Sequence, residues 1–557
     1  MIEKLIFLYG EEKGRDLEQR LKKLIDEVKT KIVCQDRSFW DEKDIFLITY
    51  PDSFQEIDSG QARMTISVTL KTLSKFLDVH LKGVINGVHI LPFYPYSSDR
   101  GFSITDYYQV KKEFGSWNDI ADIGKNYRLM ADLVLNHVSV KHAWFQKFLV
   151  GDERYWDYFI HFDKSEIPEE ELKRVVRPRA SPLLTKFITK KGERWVWTTF
   201  SVEDSTDQVD LNYKNPQVLL ELIKVIFFLL DKGIRVFRLD AAPFVWKEIG
   251  TNCWNLPQTH ILISLIRGTL DKICPQALLI AQSSTSFEEN ISYFGKDKKE
   301  THLIYNFGLP PLVFDAFYRQ SNMHLNYLAE KMKAPRADCT FFNILAVHDG
   351  ISTSGAGGML TEKELEEIFR KVESSGGMLS YRNLPNGKKA VVEMNSTWWS
   401  ALNSNEAEPF ELQLEKFITS HAIAFSLVGI PAVYYLSLFG QQNDLLLFVQ
   451  TKIKRDINRT NLDLRSLDFK LKKSSSKEAR VFDAIINLIK KRQSLKSFHP
   501  DTKQDILYLD KRVFALLRGE KEKQILALHN LSDAKVKVQY QGKTYLLEAY
   551  SFIWQEL

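Results

Sequence analysis

Cysteine is scarce in this chain: four residues in 557. Cys34, Cys253, Cys274 and Cys339 are scattered without paired spacing, so neither a disulfide framework nor a cysteine-ligated metal site is expected. No run approaches the roughly 18 consecutive apolar residues of a membrane-spanning helix. The opening Met1-Ile2-Glu3-Lys4-Leu5-Ile6 lacks the basic-then-apolar order of a secretory leader. These absences predict a cytoplasmic protein with no membrane partner. An excess of one charge is missing too. The 76 basic and 71 acidic residues are interspersed and leave a net charge of +5, which gives no reason to expect nucleic acid or an anionic surface as partner. No nucleotide-binding loop, redox centre or internal repeat is visible, so no cofactor is expected.

What is present is a succession of short apolar runs separated by amphipathic stretches. Residues 1–43 contain no proline and interleave charges with Leu and Ile, which predicts a helical N-terminal extension. Eight strand candidates follow, at 45–50, 87–92, 129–135, 233–240, 277–282, 303–307, 341–346 and 430–435. The stretch from Pro216 to Asp231 is the cleanest of the helical patterns between them. Eight strands alternating with helices predict an α/β fold, a parallel (β/α)8 TIM barrel over about 44–490. A doubly wound open sheet is the alternative. Two gaps are too long for loops. Residues 138–210 and 350–425 are expected to form inserted subdomains over the barrel mouth. Alternating patterns beyond about residue 505 predict a small antiparallel β domain, set at 491–557.

Polar residues at the C-terminal ends of barrel strands face the site in this architecture. The third strand ends in Asp132…Asn136-His137, which could be no more than a capping Asn and a core His. The fourth ends in Arg238-Leu239-Asp240. Period two puts Arg238 and Asp240 on one face, where the guanidinium would hold the carboxylate ionised and oriented; a structural ion pair is the plain alternative. The seventh ends in His348-Asp349-Gly350, which could be a turn. Three such endings together favour a site.

These segments resemble the short motifs of the α-amylase superfamily, as does Gln208-Val209-Asp210-Leu211-Asn212. Further stretches are similar to its sucrose phosphorylase and glucosylglycerate phosphorylase branch: 177–185, Val196-Trp197-Thr198-Thr199-Phe200-Ser201, 288–295, 305–311 and Lys454-Arg455-Asp456-Ile457-Asn458-Arg459. The likeness runs from about residue 45 to the C-terminus. It implies Asp240 as nucleophile, Arg238 orienting it, and Asp349 gripping sugar hydroxyls beside His137 and His348. It implies Asp99 and Arg459 on the glucose O4 side, Phe102 as a stacking face, and Arg177 or Arg179 on phosphate. The partners it implies are an α-glucoside and inorganic phosphate or glucose 1-phosphate. Asn136 corresponds to a calcium ligand of many amylases, but no acidic loop accompanies it, so no metal is predicted.

At one position the pattern breaks. The superfamily has Glu-Thr-Asn after the fifth strand, and this chain has Gln282-Ser283-Ser284. Glutamine can neither donate a carboxyl proton nor act as a base near neutral pH. Glu288 and Glu289, six and seven residues on, are candidate substitutes. Three readings compete: a glycoside phosphorylase or transglucosidase, an inactive carbohydrate-binding relative, and an α-glucoside hydrolase.

Overall fold

The computed structural model describes residues 1–557 apart from 33, 35–37, 59–64, 67, 180, 202–205, 297, 298, 384–388, 406 and 522; Ala180, within the 177–185 stretch, is thus outside it. Eight parallel strands close a barrel in sequence order: β1 (Phe46–Thr49), β2 (Gly87–Ile90), β3 (Arg128–Val134), β4 (Ile234–Asp240), β5 (Leu278–Ala281), β6 (Leu303–Tyr305), β7 (Thr340–Asn343) and β8 (Ile430–Tyr434). β1 pairs with both β2 and β8, which excludes the open doubly wound sheet. The strands fall inside the apolar runs or begin one residue earlier. Most of their residues are buried on both faces, as a parallel sheet wrapped by helices requires.

Two helices precede the barrel, α1 (Ile2–Tyr9) and α2 (Glu11–Lys29). Gly14 lets them meet, because a Cβ there would stand 3.0 Å from the α1 backbone. α2 buries Leu17, Leu21 and Ile25, one stripe at helical spacing. Among the barrel helices, α3 (Pro216–Asp231) has the features its sequence announces. The Asn215 side chain accepts from the Gln217 amide at 3.0 Å, and Pro216 sits where no donor is needed. α4 (Pro257–Ile273) leads into Cys274. Cys274 is joined to Cys34 by a disulfide, with Cα atoms 5.6 Å apart. This corrects the expectation of no disulfide: the partners are 240 residues apart in sequence, and only the docking of the N-terminal segment on the barrel brings them together.

After β3, strands His161–Phe162, Leu184–Thr189 and Gly192–Trp197 form a three-stranded sheet. After β7, strands Ile351–Ser352, Met378–Asn383 and Lys389–Asn395 form another, accompanied by a helix over Glu362–Ser374. Strands Gln504–Asp510, Val513–Arg518, Ile525–Asn530 and Phe552–Glu556 make a four-stranded antiparallel sheet. The inward residues of its strands and of a neighbouring hairpin share an apolar cluster that includes Val513, Leu526, Val536 and Leu547.

Three buried histidines make this fold acid-sensitive. His529 accepts from the Trp554 indole at 3.3 Å, and its other ring nitrogen lies 3.1 Å from the Phe514 carbonyl, which fixes the neutral tautomer. His421 bonds the Phe417 carbonyl, and His142 accepts from the Trp144 amide. Burial pushes all three down to about 4. The unfolded chain therefore binds more protons than the native one between pH 6.5 and 4. Stability is fully present above this window and falls within it, each histidine contributing up to about 1.4 kcal/mol per pH unit. Urea melts across this range check it; a flat profile contradicts it.

Candidate active site

Strand β4 ends in Arg238 and Asp240, two residues apart on one face. The Arg238 guanidinium is buried between two carboxylates. Nη1 donates to Asp240 Oδ1 at 2.7 Å and to Asp132 on the neighbouring β3, its partner in register. Asp132 also faces His89 Nε2 at 2.8 Å. Asp240 is thus the end of a buried chain, His89–Asp132–Arg238–Asp240. Burial pushes the Asp240 carboxyl up, Arg238 pulls it down, and Asp132 and Asp349 push it up again, leaving it at about 6.

Gln282 follows β5 directly and lies beside this carboxylate. Its Oε1 accepts from the Ala241 amide at 2.9 Å, and its Nε2 donates to Ser284 Oγ at 3.2 Å. Ala241 is in the left-handed region, with φ 52°, so the chain turns sharply after Asp240. The backbone amide of Gln282 also bonds Leu239 O at 3.1 Å. The amide side chain therefore stands at the strand end with both its polar atoms engaged.

Asp349 is the most heavily paired acid of the site. Its Oδ1 is 3.0 Å from Arg455 Nη1 and 3.3 Å from Arg459 Nη2, and Oδ2 is 3.4 Å from His348 Nε2. Burial alone would raise its pKa; Arg455, His348 and Arg459 overcome this and hold it well below the ordinary value. His348 stacks on Phe102 at 5.1 Å and 13° between ring planes. Burial lowers it to about 3, so this imidazole is neutral. His137 bonds the Phe102 carbonyl at 3.2 Å and packs on Phe200. Asp99 accepts from Gln208 Nε2 at 3.0 Å and stands 3.8 Å from Arg179.

One cavity brings together Asp99, Phe102, His137, Arg179, Asp240, Gln282, His348 and Asp349. Three residues with anticipated roles are elsewhere. Arg238 is beneath Asp240. Arg459 is drawn up behind Asp349, bonding the His348 carbonyl at 2.9 Å, and does not line the cavity. Arg177 donates to the Ser181 carbonyl and does not line it either. Glu288 pairs with Lys331 at 2.6 Å, largely in solvent, and neither it nor Glu289 is on the wall. Neither is therefore placed to act in the cavity.

Other wall residues had not been singled out: Trp254, Ser380, Tyr381, Arg382, Glu393 and Arg455. Arg455 bridges Asp349 and Glu393, its Nε donating to Glu393 Oε2 at 3.0 Å. Only its place in a quoted motif marked it in the sequence. The 378–395 strands carry no local signal of a site. Among the described residues no group of three His, Cys, Asp or Glu side chains is disposed to hold a metal. Asn136 Oδ1 accepts from the Lys247 ammonium, which also stands 2.8 Å from Asp210.

Comparison with known proteins gives a consistent picture. A family model described as the alpha-amylase catalytic domain matches residues 48–350. A glucosylglycerate phosphorylase of Spirochaeta thermophila is 38% identical over 565 residues, covering 100% of this chain and 93% of that protein. One from Escherichia coli is 36% identical over 516 residues, covering 92% and 89%. The crystal structure of sucrose 6F-phosphate phosphorylase from Thermoanaerobacter thermosaccharolyticum superposes with a TM-score of 0.76 at 27% identity, over 91% of this chain and 98% of that one.

Proposed function

Because this chain belongs to the α-amylase family, among its glucosylglycerate and sucrose phosphorylases, we propose that it moves an α-glucosyl group between an acceptor oxygen and inorganic phosphate, with retention. Asp240 attacks the anomeric carbon as the bond to the leaving oxygen breaks. Phosphate oxygen then attacks the glucosyl ester, which frees the Asp240 carboxylate and gives α-glucose 1-phosphate. Two inversions make one retention. Arg238 orients the nucleophile, Asp349 holds sugar hydroxyls, Asp99 and His137 add contacts, and Phe102 offers an apolar face. Arg179, which lines the cavity wall, takes the phosphate better than Arg177 does. The relatives' names make glycerate the first acceptor to try. The same reading places the protein in the cytoplasm, where the Cys34–Cys274 bond would have to persist in a reducing medium.

The observation that carries this reading is the buried Arg238–Asp240 pair at 2.7 Å, with Asp240 on the wall of the cavity. Gln282 grades it. A phosphate leaving group needs little proton help, whereas a sugar or hydroxy-acid alkoxide needs much. Transfer from and to phosphate is therefore kept, and cleavage of the glucoside is slow. The test is exchange of labelled inorganic phosphate into α-glucose 1-phosphate, which requires no acceptor. Exchange is expected. Its absence, together with no phosphate release on adding any acceptor, overturns the catalytic reading. The second reading would then stand: a glucose-binding relative without turnover, favoured by the amide at 282.

A further inference from the structure

The arginines around the cavity differ in how fully their charge is matched. Arg238 lies between Asp132 and Asp240, Arg455 between Asp349 and Glu393, and Arg459 on Asp349. Among the described residues Arg179 has only the 3.8 Å approach to Asp99, and its buried Nε has no partner. Arg382 is the extreme case. Among the described residues its side chain makes no ion pair, and its buried Nε has no partner, although the residue lines the cavity. A buried donor left without an acceptor carries an uncompensated desolvation cost. The buried structural Arg518 shares the orphaned Nε but differs at its Nη atoms, which bond the Ser426 and His499 carbonyls and the Thr502 hydroxyl.

Arg382 sits on the strand Met378–Asn383, paired opposite Ala390. The facing strand carries one extra residue, Val392, between the partners of Ser380 and Tyr381, and such a bulge increases the local twist of the pair. Here Ser380, Tyr381 and Arg382 all line the cavity. Arg382 reaches the wall on a strand inserted after β7. Among the described residues Asp99, Asp240 and Asp349 form their ion pairs with Arg179, Arg238, Arg455, Arg459 and His348, and none of them with Arg382.

We infer that Arg382 is a specificity-determining residue that binds the carboxylate of a hydroxy-acid acceptor and selects acidic over neutral acceptors. A guanidinium suits this task because its paired N–H groups match the two oxygens of a carboxylate. Arg179 remains for the phosphate of the other half-reaction. This inference rests on the phosphorylase reading for its acceptor, and its test separates the two.

D-glycerate and glycerol differ by a carboxylate against a hydroxymethyl group. With α-glucose 1-phosphate as donor, the protein prefers glycerate, and Arg382→Gln lowers the glycerate-to-glycerol ratio of kcat/KM by roughly 10–100-fold, the size of one hydrogen bond to a charged group. The ratio cancels any general loss of active protein. Arg382→Lys restores part of it. An unchanged ratio in Arg382→Gln, or no preference in the parent, overturns the inference. Calorimetric titration of sodium D-glycerate in the presence of glucose provides a second arm that needs no turnover. Arg382→Gln weakens binding at least tenfold; equal affinity overturns the inference. Failure of phosphate exchange sinks the phosphorylase reading alone, because the calorimetric arm still decides Arg382.

Discussion

Gln282→Glu accelerates cleavage of an α-glucoside with a hydroxy-acid or sugar leaving group by roughly 10²–10⁴-fold, the ordinary worth of general acid catalysis. The site is shaped to accept the change. A carboxylate oxygen takes the Ala241 amide hydrogen as the Gln282 Oε1 does now at 2.9 Å. Ser284, which now accepts from Nε2 at 3.2 Å, turns its hydroxyl to donate instead. The gain for a phosphate leaving group is far smaller, because that group departs without a proton. The ratio of the two accelerations is the decisive quantity, measured as initial rates on glucosylglycerate and on α-glucose 1-phosphate.

The pH profile makes the same point independently. As the proposed nucleophile, Asp240 attacks only as the carboxylate, and its pKa is raised to about 6, chiefly by burial. The rate of the parent protein therefore rises with pH through about 6 and then levels, since Gln282 has no proton to lose. In Gln282→Glu a basic limb appears as the new acid ionises, and the profile becomes a bell. Equal rates on both substrates before and after the change, with no basic limb, would mean that the proton comes from elsewhere.

Asp240→Asn abolishes transfer, with kcat/KM falling on the order of 10⁴-fold or more, and at the same time makes the protein more stable. The two effects share one cause. Ionised Asp240 is held against its burial penalty, so its ionisation weakens the fold as pH rises from about 4 to about 6 and stays unfavourable above that. An amide removes this penalty. The gain is on the order of 1–3 kcal/mol at neutral pH, reduced by whatever Arg238 loses when only Asp132 remains to pair with it. Thermal melts at pH 7.5 and pH 4 separate the terms: the stabilisation is present at the first and largely gone at the second. Loss of activity with loss of stability would instead make Asp240 a structural partner of Arg238.

Much of this was legible along the chain. The eight apolar runs are local features, and each became a barrel strand because a parallel strand buried on both faces needs an unbroken run of such residues. Asp132, Arg238, Asp240, Gln282 and Asp349 could be placed at strand ends by counting, since in a closed barrel those ends converge on one mouth. Arg382 and Glu393 could not. They reach the cavity on strands inserted after β7, and the direction in which inserted strands fold over the mouth is set by long-range packing. Arg459 shows the same limit. Its motif pointed to the sugar, but the fold sets it behind Asp349, where it joins Arg455 in holding that acid ionised. Cys34 and Cys274 gave no spacing to read because their pairing depends on docking across 240 residues. The sequence by itself determined the barrel, the Arg238–Asp240 pairing and the amide at 282, because periodicity and strand ends are local. Only the tertiary structure decided which charges remain unmatched in the cavity, because matching a charge requires partners from distant segments.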